Sequence, residues 1–197
     1  TASHEVAGVE ALVRWHHGRQ GSIPPWRLIA VTEEAGMINE LGQWVLQSAM
    51  RQLRSWRTIC PSMTMSLNIS SHQLLDADGF IQSIQHSIYD QSLSADVLHL
   101  EIAGHTIVGR TALAAIDQLR SIGVKIFLDD FGAGRSALAS VARLPLDGLK
   151  LDPYLMNGAD DHTRRAAVVR SMVHLARELS LDLVAKGVES LSQLQFL

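Results

Sequence analysis

The chain has 197 residues, 47% hydrophobic and 19% charged, with 17 basic and 20 acidic residues giving a formal charge of −3. This composition belongs to an ordinary globular domain and excludes intrinsic disorder, collagen and a disulfide-stapled mini-protein. Charges of both signs are mixed along the chain, so no nucleic-acid polymer is expected as a partner. The single cysteine, Cys60, has no internal disulfide partner, which suggests a reducing, cytoplasmic setting. No uncharged run reaches the roughly 18–20 residues of a membrane helix, and no signal peptide opens the chain, so no membrane contact is expected from this segment.

In chain order, a first strand is expected over Gly8–Trp15, with His16–His17 following in a glycine-containing loop. Pro25 suits a helix start and Gly36 its end. Leu41, Trp44, Val45, Ser48 and Ala49 recur at three- and four-residue spacing and predict the apolar face of a second helix. Trp26, Trp44 and Trp56 are expected in a core or an interface rather than as base-stacking platforms. Further strands are expected at Met63–Ile69, Val97–Ile102, Val124–Asp129, Gly148–Asp152 and Leu181–Lys186. Gly123 suits a helix stop before the fourth of these six strands, and Arg164–Arg165 an exposed helix start. Val169, Met172, Val173 and Ala176 mark a helix face before the last strand.

Alternating strands and helices imply parallel strands joined by right-handed crossovers. Side-chain parity then separates two faces. Met63, Met65, Leu67 and Ile69 oppose Thr64, Ser66 and Asn68; Leu98, Leu100 and Ile102 oppose His99 and Glu101; Leu149 and Leu151 oppose Lys150 and Asp152. One face is apolar, and the other turns polar towards the strand's C-terminal end. An open doubly wound sheet covers both faces with helices, whereas a barrel has an inner face that can carry polar groups at its mouth. The expected fold is therefore α/β, a modified TIM-like (β/α) barrel. A complete barrel of this class takes eight strands, so residues 1–197 are expected to form a single domain trimmed at both ends, without its first and last strands.

The expected strand ends carry Glu10, Asn68, Glu101, Asp129–Asp130, Lys150, Lys186 and Glu189. Carboxylate and amide oxygens are hard ligands that suit Mg²⁺ or Mn²⁺. Asp129 and Asp130 are adjacent and can aim at one site only if the strand ends there. Two carboxylates so close need cations to stay ionised together. Asp-Asp before glycine is by itself commonly only a turn, but acidic or amide residues ending several parallel strands are a stronger signal.

Glu10-Ala11-Leu12-Val13-Arg14-Trp15 resembles the signature of the EAL domain family, which binds or hydrolyses the bacterial second messenger cyclic di-GMP. The resemblance continues through Ile23-Pro24-Pro25, Glu33-Glu34-Ala35-Gly36-Met37-Ile38 and Leu41-Gly42-Gln43-Trp44-Val45-Leu46. It extends over Leu67-Asn68-Ile69-Ser70, Leu100-Glu101-Ile102, Leu128-Asp129-Asp130-Phe131-Gly132, Leu149-Lys150-Leu151-Asp152, Gly187-Val188-Glu189 and Gln193. It implies one Mg²⁺ or Mn²⁺ held by Glu10, Asn68, Glu101 and Asp129, and a second sharing Asp129 and adding Asp130. Lys150, Asp130 and Glu189 would be the catalytic residues, with Lys150 orienting water or neutralising phosphate and Glu189 partly standing in for a glutamate of the closing motif. Glu10, Leu12, Arg14 and Asp130 would contact the nucleotide, with Leu12 and Arg14 on the strand face of Glu10. The family product is linear pGpG. The resemblance further implies homodimerisation and fusion to a sensory or GGDEF domain, or signalling to a protein effector.

Three departures from the family pattern stand out. Ala-Glu-Gly-Val-Glu reads Ala185-Lys186-Gly187-Val188-Glu189, putting a cation where the second metal's remaining ligand belongs. Glu-Ile-Thr-Glu reads Glu101-Ile102-Ala103-Gly104, and the loop after the aspartates carries Ala133 and Arg135 in place of threonine and tyrosine. The expectation is a cyclic di-GMP-binding signalling domain with weak or absent phosphodiesterase activity, holding one metal ion, or two only if Lys186 is tolerated. The alternatives are an active Mg/Mn-dependent phosphodiesterase and an interaction scaffold that binds no nucleotide.

Overall fold

Strand β1 (Gly8–Ala11) pairs in parallel with β4 (Thr64–Asn68), placing Glu10 opposite Ser66 and Ala11 opposite Leu67. The strand ends at Ala11 rather than Trp15, because its partner ends one residue after the last pair. Trp15–His17 instead form β2, which turns back antiparallel onto β3 (Gly21–Ile23). The expected loop at His16–His17 is thus a hairpin strand. His17 Nδ1 accepts from the backbone N–H groups of Arg19 and Gln20 at 3.2 and 3.3 Å and fixes the turn.

The computed structural model describes residues 5–104, 109–133, 137–157 and 163–197. Two compact units divide it: the chain up to Leu100 with Gly109–Lys125, and Glu101 onward with Ile126–Leu197. In the first unit, Pro25 opens α1 (Pro25–Glu34), and Gly36 follows its end with φ +68°. Helix α2 (Ile38–Arg57) buries Leu46, Ala49, Met50 and Leu53 at the spacing of one helix face. This stripe is rotated from the expected one: Leu41, Val45 and Ser48 are half-buried, and Trp44 is exposed. Trp26 and Trp44 are 73% and 59% exposed, so neither is a core residue.

After β4, Ser70 and Gln73 form a reciprocal capping box at the start of α3 (Ser71–Leu75). Helix α4 (Ala77–Gln91) packs against α2 and buries Phe80 and Ile84, and a 3-10 turn (Ala95–Val97) leads into β5 (Leu98–Ala103). Helix α5 (Arg110–Ser121) buries Ala112, Ala115, Ile116 and Leu119, and Gly123 follows it at φ +96°.

The second unit contains β6 (Lys125–Phe131, from Ile126 on), α6 (Ala137–Arg143), β7 (Gly148–Leu151) and α7 (Pro153–Met156). Helix α8 (Arg164–Glu178), β8 (Asp182–Ala185) and α9 (Leu191–Phe196) complete it. Strands β6, β7 and β8 run parallel. Ala166, Val169 and Ala176 are buried on α8, with Met172 and Val173 half-buried on the expected face. Among the described residues, the hydrogen-bonded strand order is β1-β4-β5-β6-β7-β8. The fold class is α/β with a parallel sheet.

Parity sorts β4, β5 and β7 as expected, with Asn68 exposed and Thr64 and His99 half-buried, but part of the polar face is enclosed. Ser66, Glu101 and Lys150 are only 8%, 1% and 6% exposed. An ionised side chain in the interior needs a partner there, and this requirement shapes the site.

Candidate functional site

In the first unit, β1 and β4 bring Glu10 and Asn68 together. The Asn68 amide Nδ2 donates to Glu10 Oε1 at 2.8 Å. Both lie near the C-terminal ends of parallel strands, where such folds place ligand-binding groups. Leu12 and Arg14 lie past the end of β1, so strand alternation does not place them on the face of Glu10. They line a cavity of about 240 Å³ together with Trp26, Val45, Asn68 and Phe80. Arg14 is exposed, and its Nη1 donates to the carbonyl of Val13 at 3.0 Å.

In the second unit, Glu101 on β5 and Lys150 on β7 form an ion pair, with Nζ donating to Oε1. Their side chains are 0% and 7% exposed. Burying two ions is costly, and their mutual attraction offsets that cost only while both are present. Lys150 is therefore committed to Glu101.

Asp129 and Asp130 converge without the strand ending between them. Strand β6 continues to Phe131, but Asp130 takes the left-handed conformation at φ +50°. Pairing with β7 shifts register between Leu128 and Phe131. This irregularity breaks the alternation that would turn adjacent side chains to opposite faces. A non-glycine residue in this region is strained by about 1–2 kcal/mol, tolerated best by Asp and Asn. Gly132 follows at φ +102°, a region that disfavours any side chain.

Lys186, immediately after β8, meets both carboxylates. Its Nζ lies 2.8 and 2.9 Å from Asp129 Oδ1 and Oδ2, and 2.8 Å from Asp130 Oδ1. Partial burial alone would pull the ammonium's pKa down. The hydrogen bonds from Asp129 and then Asp130, with their charges, outweigh that and raise it above the ordinary 10.5. Lys186 is thus a fixed cation at neutral pH.

The segment carrying Lys186 is held from several sides. Its N–H donates to the Leu151 carbonyl at 3.4 Å, and Gly187 turns at φ +71° against Pro153. Gln193 Oε1 accepts from the N–H groups of Glu189 and Ser190 at 2.7 and 2.9 Å, while its Nε2 donates to the Met156 carbonyl at 2.9 Å. Sequence reading placed Gln193 in a motif but missed this fastening role; the Ser190…Gln193 capping-box spacing was the available signal. Glu189 is exposed, with its backbone tied to that cap.

Gly104 follows β5, and its carbonyl accepts from Ser140 Oγ at 3.3 Å. Ala133 donates its N–H to the Asp130 carbonyl at 3.2 Å. Arg135 lies outside the described residues. Among the described residues, no group of three or more His, Cys, Asp or Glu side chains is gathered to hold a metal ion. Glu101, Asp129 and Asp130 are met by the ammonium groups of Lys150 and Lys186. No helix among the described residues is long and apolar enough to cross a membrane.

Comparison with known proteins places this geometry in context. The bifunctional diguanylate cyclase/cyclic di-GMP phosphodiesterase MucR of Pseudomonas aeruginosa is 37% identical over 195 residues, covering 98% of this chain and 28% of MucR. The cyclic di-GMP phosphodiesterase PdeR of Escherichia coli K12 is 34% identical, covering 98% of this chain and 29% of PdeR. The chain thus spans less than a third of the length of either relative. A solved structure of the PaMucR phosphodiesterase in complex with c-di-GMP matches with a TM-score of 0.83 at 35% identity, over 96% of this chain and 78% of that one. Its fold is the TIM-like barrel of EAL domains. The family model described as the EAL domain matches residues 1–197, and with that end-to-end match this chain belongs to the EAL domain family.

Proposed function

We propose that this chain binds cyclic di-GMP as a signalling module and hydrolyses it weakly or not at all. The observation that carries this reading is the Lys186 ammonium lying on Asp129 and Asp130, the carboxylates a second metal ion would need. A dication about 4 Å from that ammonium meets a repulsion of about 8 kcal/mol at an effective dielectric of about 20. Lys186 therefore does not fit a second Mg²⁺ or Mn²⁺.

The resemblance assigns a first Mg²⁺ or Mn²⁺ to the hard oxygen donors of Glu10, Asn68, Glu101 and Asp129, but Glu101 is paired with Lys150 and Asp129 with Lys186. Such an ion, when bound, supplies charge to offset a phosphodiester and acidifies water. The chain's own residues have simpler tasks. Arg14, exposed beside the cavity, offers a guanidinium to a phosphate or a guanine edge. Leu12 adds apolar contact, Lys150 pairs with Glu101 and holds it in place, and Lys186 moderates the aspartate pair. Glu189 is the remaining carboxylate of the motif and the candidate to replace the lost glutamate in catalysis.

The wider setting belongs to the same proposal: a cytoplasmic module joined to a sensory or GGDEF domain, or signalling to a protein effector, and pairing as a homodimer. Calorimetric titration with cyclic di-GMP, followed by chromatography of the mixture, tests it. Binding with the nucleotide recovered intact is expected. Rapid formation of pGpG by the unmodified protein overturns the reading, and absence of binding leaves a scaffold.

A second reading, an active phosphodiesterase that tolerates Lys186, draws on the named activities of MucR and PdeR at 37% and 34% identity. Turnover at saturating Mn²⁺ separates the two. A gain of turnover in Lys186→Glu supports the first.

A further inference from the structure

We infer that Lys186 is a tethered cation that takes the place of divalent metal in ligand binding, so that the affinity for cyclic di-GMP is independent of Mg²⁺ and Mn²⁺. This rests on the nucleotide-binding reading above and extends it to how the site is charged. An ammonium has three N–H donors. Lys186 Nζ has three carboxylate oxygens within 2.9 Å, two from Asp129 and one from Asp130. Its donors are therefore saturated by the oxygens that a bridging ion would take.

Asp129 is the residue the resemblance assigns to both metal positions, and both its oxygens are engaged. Mg²⁺ takes its oxygens at about 2.0–2.1 Å and dehydrates reluctantly. An ion would have to draw the carboxylates inward and expel the ammonium. The stem resists expulsion: Lys186 is hydrogen-bonded to Leu151, Gly187 turns against Pro153, and Gln193 fastens Glu189 and Ser190.

The charge pattern suits binding better than hydrolysis. Glu101, Asp129 and Asp130 are three carboxylates, and Lys150 and Lys186 answer them with two ammonium groups. The residual negative charge of this cluster is small enough to admit an anionic phosphodiester. An ammonium offers no lone pair to a metal and no water of lowered pKa, so it supplies the counter-charge without the nucleophile.

The test measures the Kd for cyclic di-GMP of the unmodified chain in EDTA and again in excess Mg²⁺, alongside Lys186→Glu and Lys186→Met. Mn²⁺ binding without nucleotide is followed by electron paramagnetic resonance. The unmodified chain is expected to show the same Kd in both buffers within about twofold. Lys186→Glu is expected to bind nucleotide at least about tenfold more tightly with Mg²⁺ than in EDTA, and to bind one more Mn²⁺ than the unmodified chain. Lys186→Met should weaken binding in EDTA by about tenfold, because Asp129 and Asp130 then face the anionic ligand without their counter-charge.

A tenfold gain on adding Mg²⁺ to the unmodified chain overturns the proposal, with no variant needed. So does Mn²⁺ uptake by the unmodified chain equal to that of Lys186→Glu. If the unmodified chain binds nucleotide in neither buffer, the nucleotide reading fails, and the Mn²⁺ comparison alone still decides whether Lys186 excludes the ion.

Discussion

Lys186 Nζ lies within 2.9 Å of both carboxylate oxygens of Asp129, and the same ammonium reaches Asp130. The three groups come from two strands, so they link the end of β8 to the irregular end of β6.

Replacing Lys186 with methionine removes that link and leaves two adjacent carboxylates without their ammonium. The pair is partly exposed, with Lys186 at 25% and Asp129 at 12%, so its worth lies between that of a surface and a buried bridge. The expected loss is about 1–2 kcal/mol, including the repulsion between the aspartates. Urea denaturation of the two proteins measures it, and an unchanged midpoint would show that the contact contributes nothing to folding.

The buried pair calls for a larger effect. Lys150→Met strands the Glu101 carboxylate without its cation, or forces it to take up a proton, in an interior where its side chain is 0% exposed. Removing one member of such a pair typically costs about 3–5 kcal/mol. Adding Glu101→Gln should recover more than half of that loss, since the stranded charge is then gone. Thermal unfolding of the single and double variants checks both. If Lys150→Met melts like the unmodified protein, the pair carries no stability.

Much of this was legible in the sequence. The strands declared themselves by parity, because a side chain every second residue must match the face it enters. Lys186 declared itself by standing where the surrounding motif asks for an anion. The hairpin of β2 and β3 did not: Trp15-His16-His17 and Gly21-Ser22-Ile23 are too short to show a period. The buried stripe of α2 was read one face away, since Leu41 and Val45 line a cavity and so remain only half-buried. The convergence of Asp129 and Asp130 was legible as a requirement, but its means was not. A left-handed Asp130 inside a continuing strand depends on tertiary pairing with β7, which local sequence does not encode.

That left-handed residue can be tested separately from its charge. Asp130→Ala places a Cβ residue with no local hydrogen-bonding group at φ +50°, whereas Asp130→Gly removes the steric conflict. Both variants lose the carboxylate, so the difference between them isolates the backbone. The glycine variant is expected to be more stable than the alanine variant by about 1 kcal/mol, read from paired denaturation midpoints. An alanine variant as stable as glycine would mean that the strand relaxes its register there.

Gln193 fastens the loop that presents Lys186, so its removal should act at a distance. Gln193→Ala loses acceptance from the N–H groups of Glu189 and Ser190 and donation to the Met156 carbonyl. The lost hydrogen bonds predict a destabilisation of about 1–3 kcal/mol. They also predict faster amide exchange at Glu189 and Ser190, while Glu10 and Asn68 keep their exchange rates. Hydrogen exchange followed residue by residue distinguishes this loop-specific loosening from a general loss of stability, which would raise rates throughout.

Arg14 carries the last prediction. It is exposed, and its only recorded side-chain hydrogen bond runs to the neighbouring Val13 carbonyl at 3.0 Å, so its truncation disturbs little of the fold. A guanidinium that meets a phosphate or a guanine edge contributes a charge-assisted hydrogen bond, about 1.5–3 kcal/mol. Arg14→Ala should therefore weaken cyclic di-GMP binding about tenfold to a hundredfold while leaving the melting temperature within about 2 °C. Calorimetric titration beside a thermal melt checks both halves. Equal affinity in the two proteins would remove Arg14 from the nucleotide site and shift weight to the reading in which this chain is a scaffold.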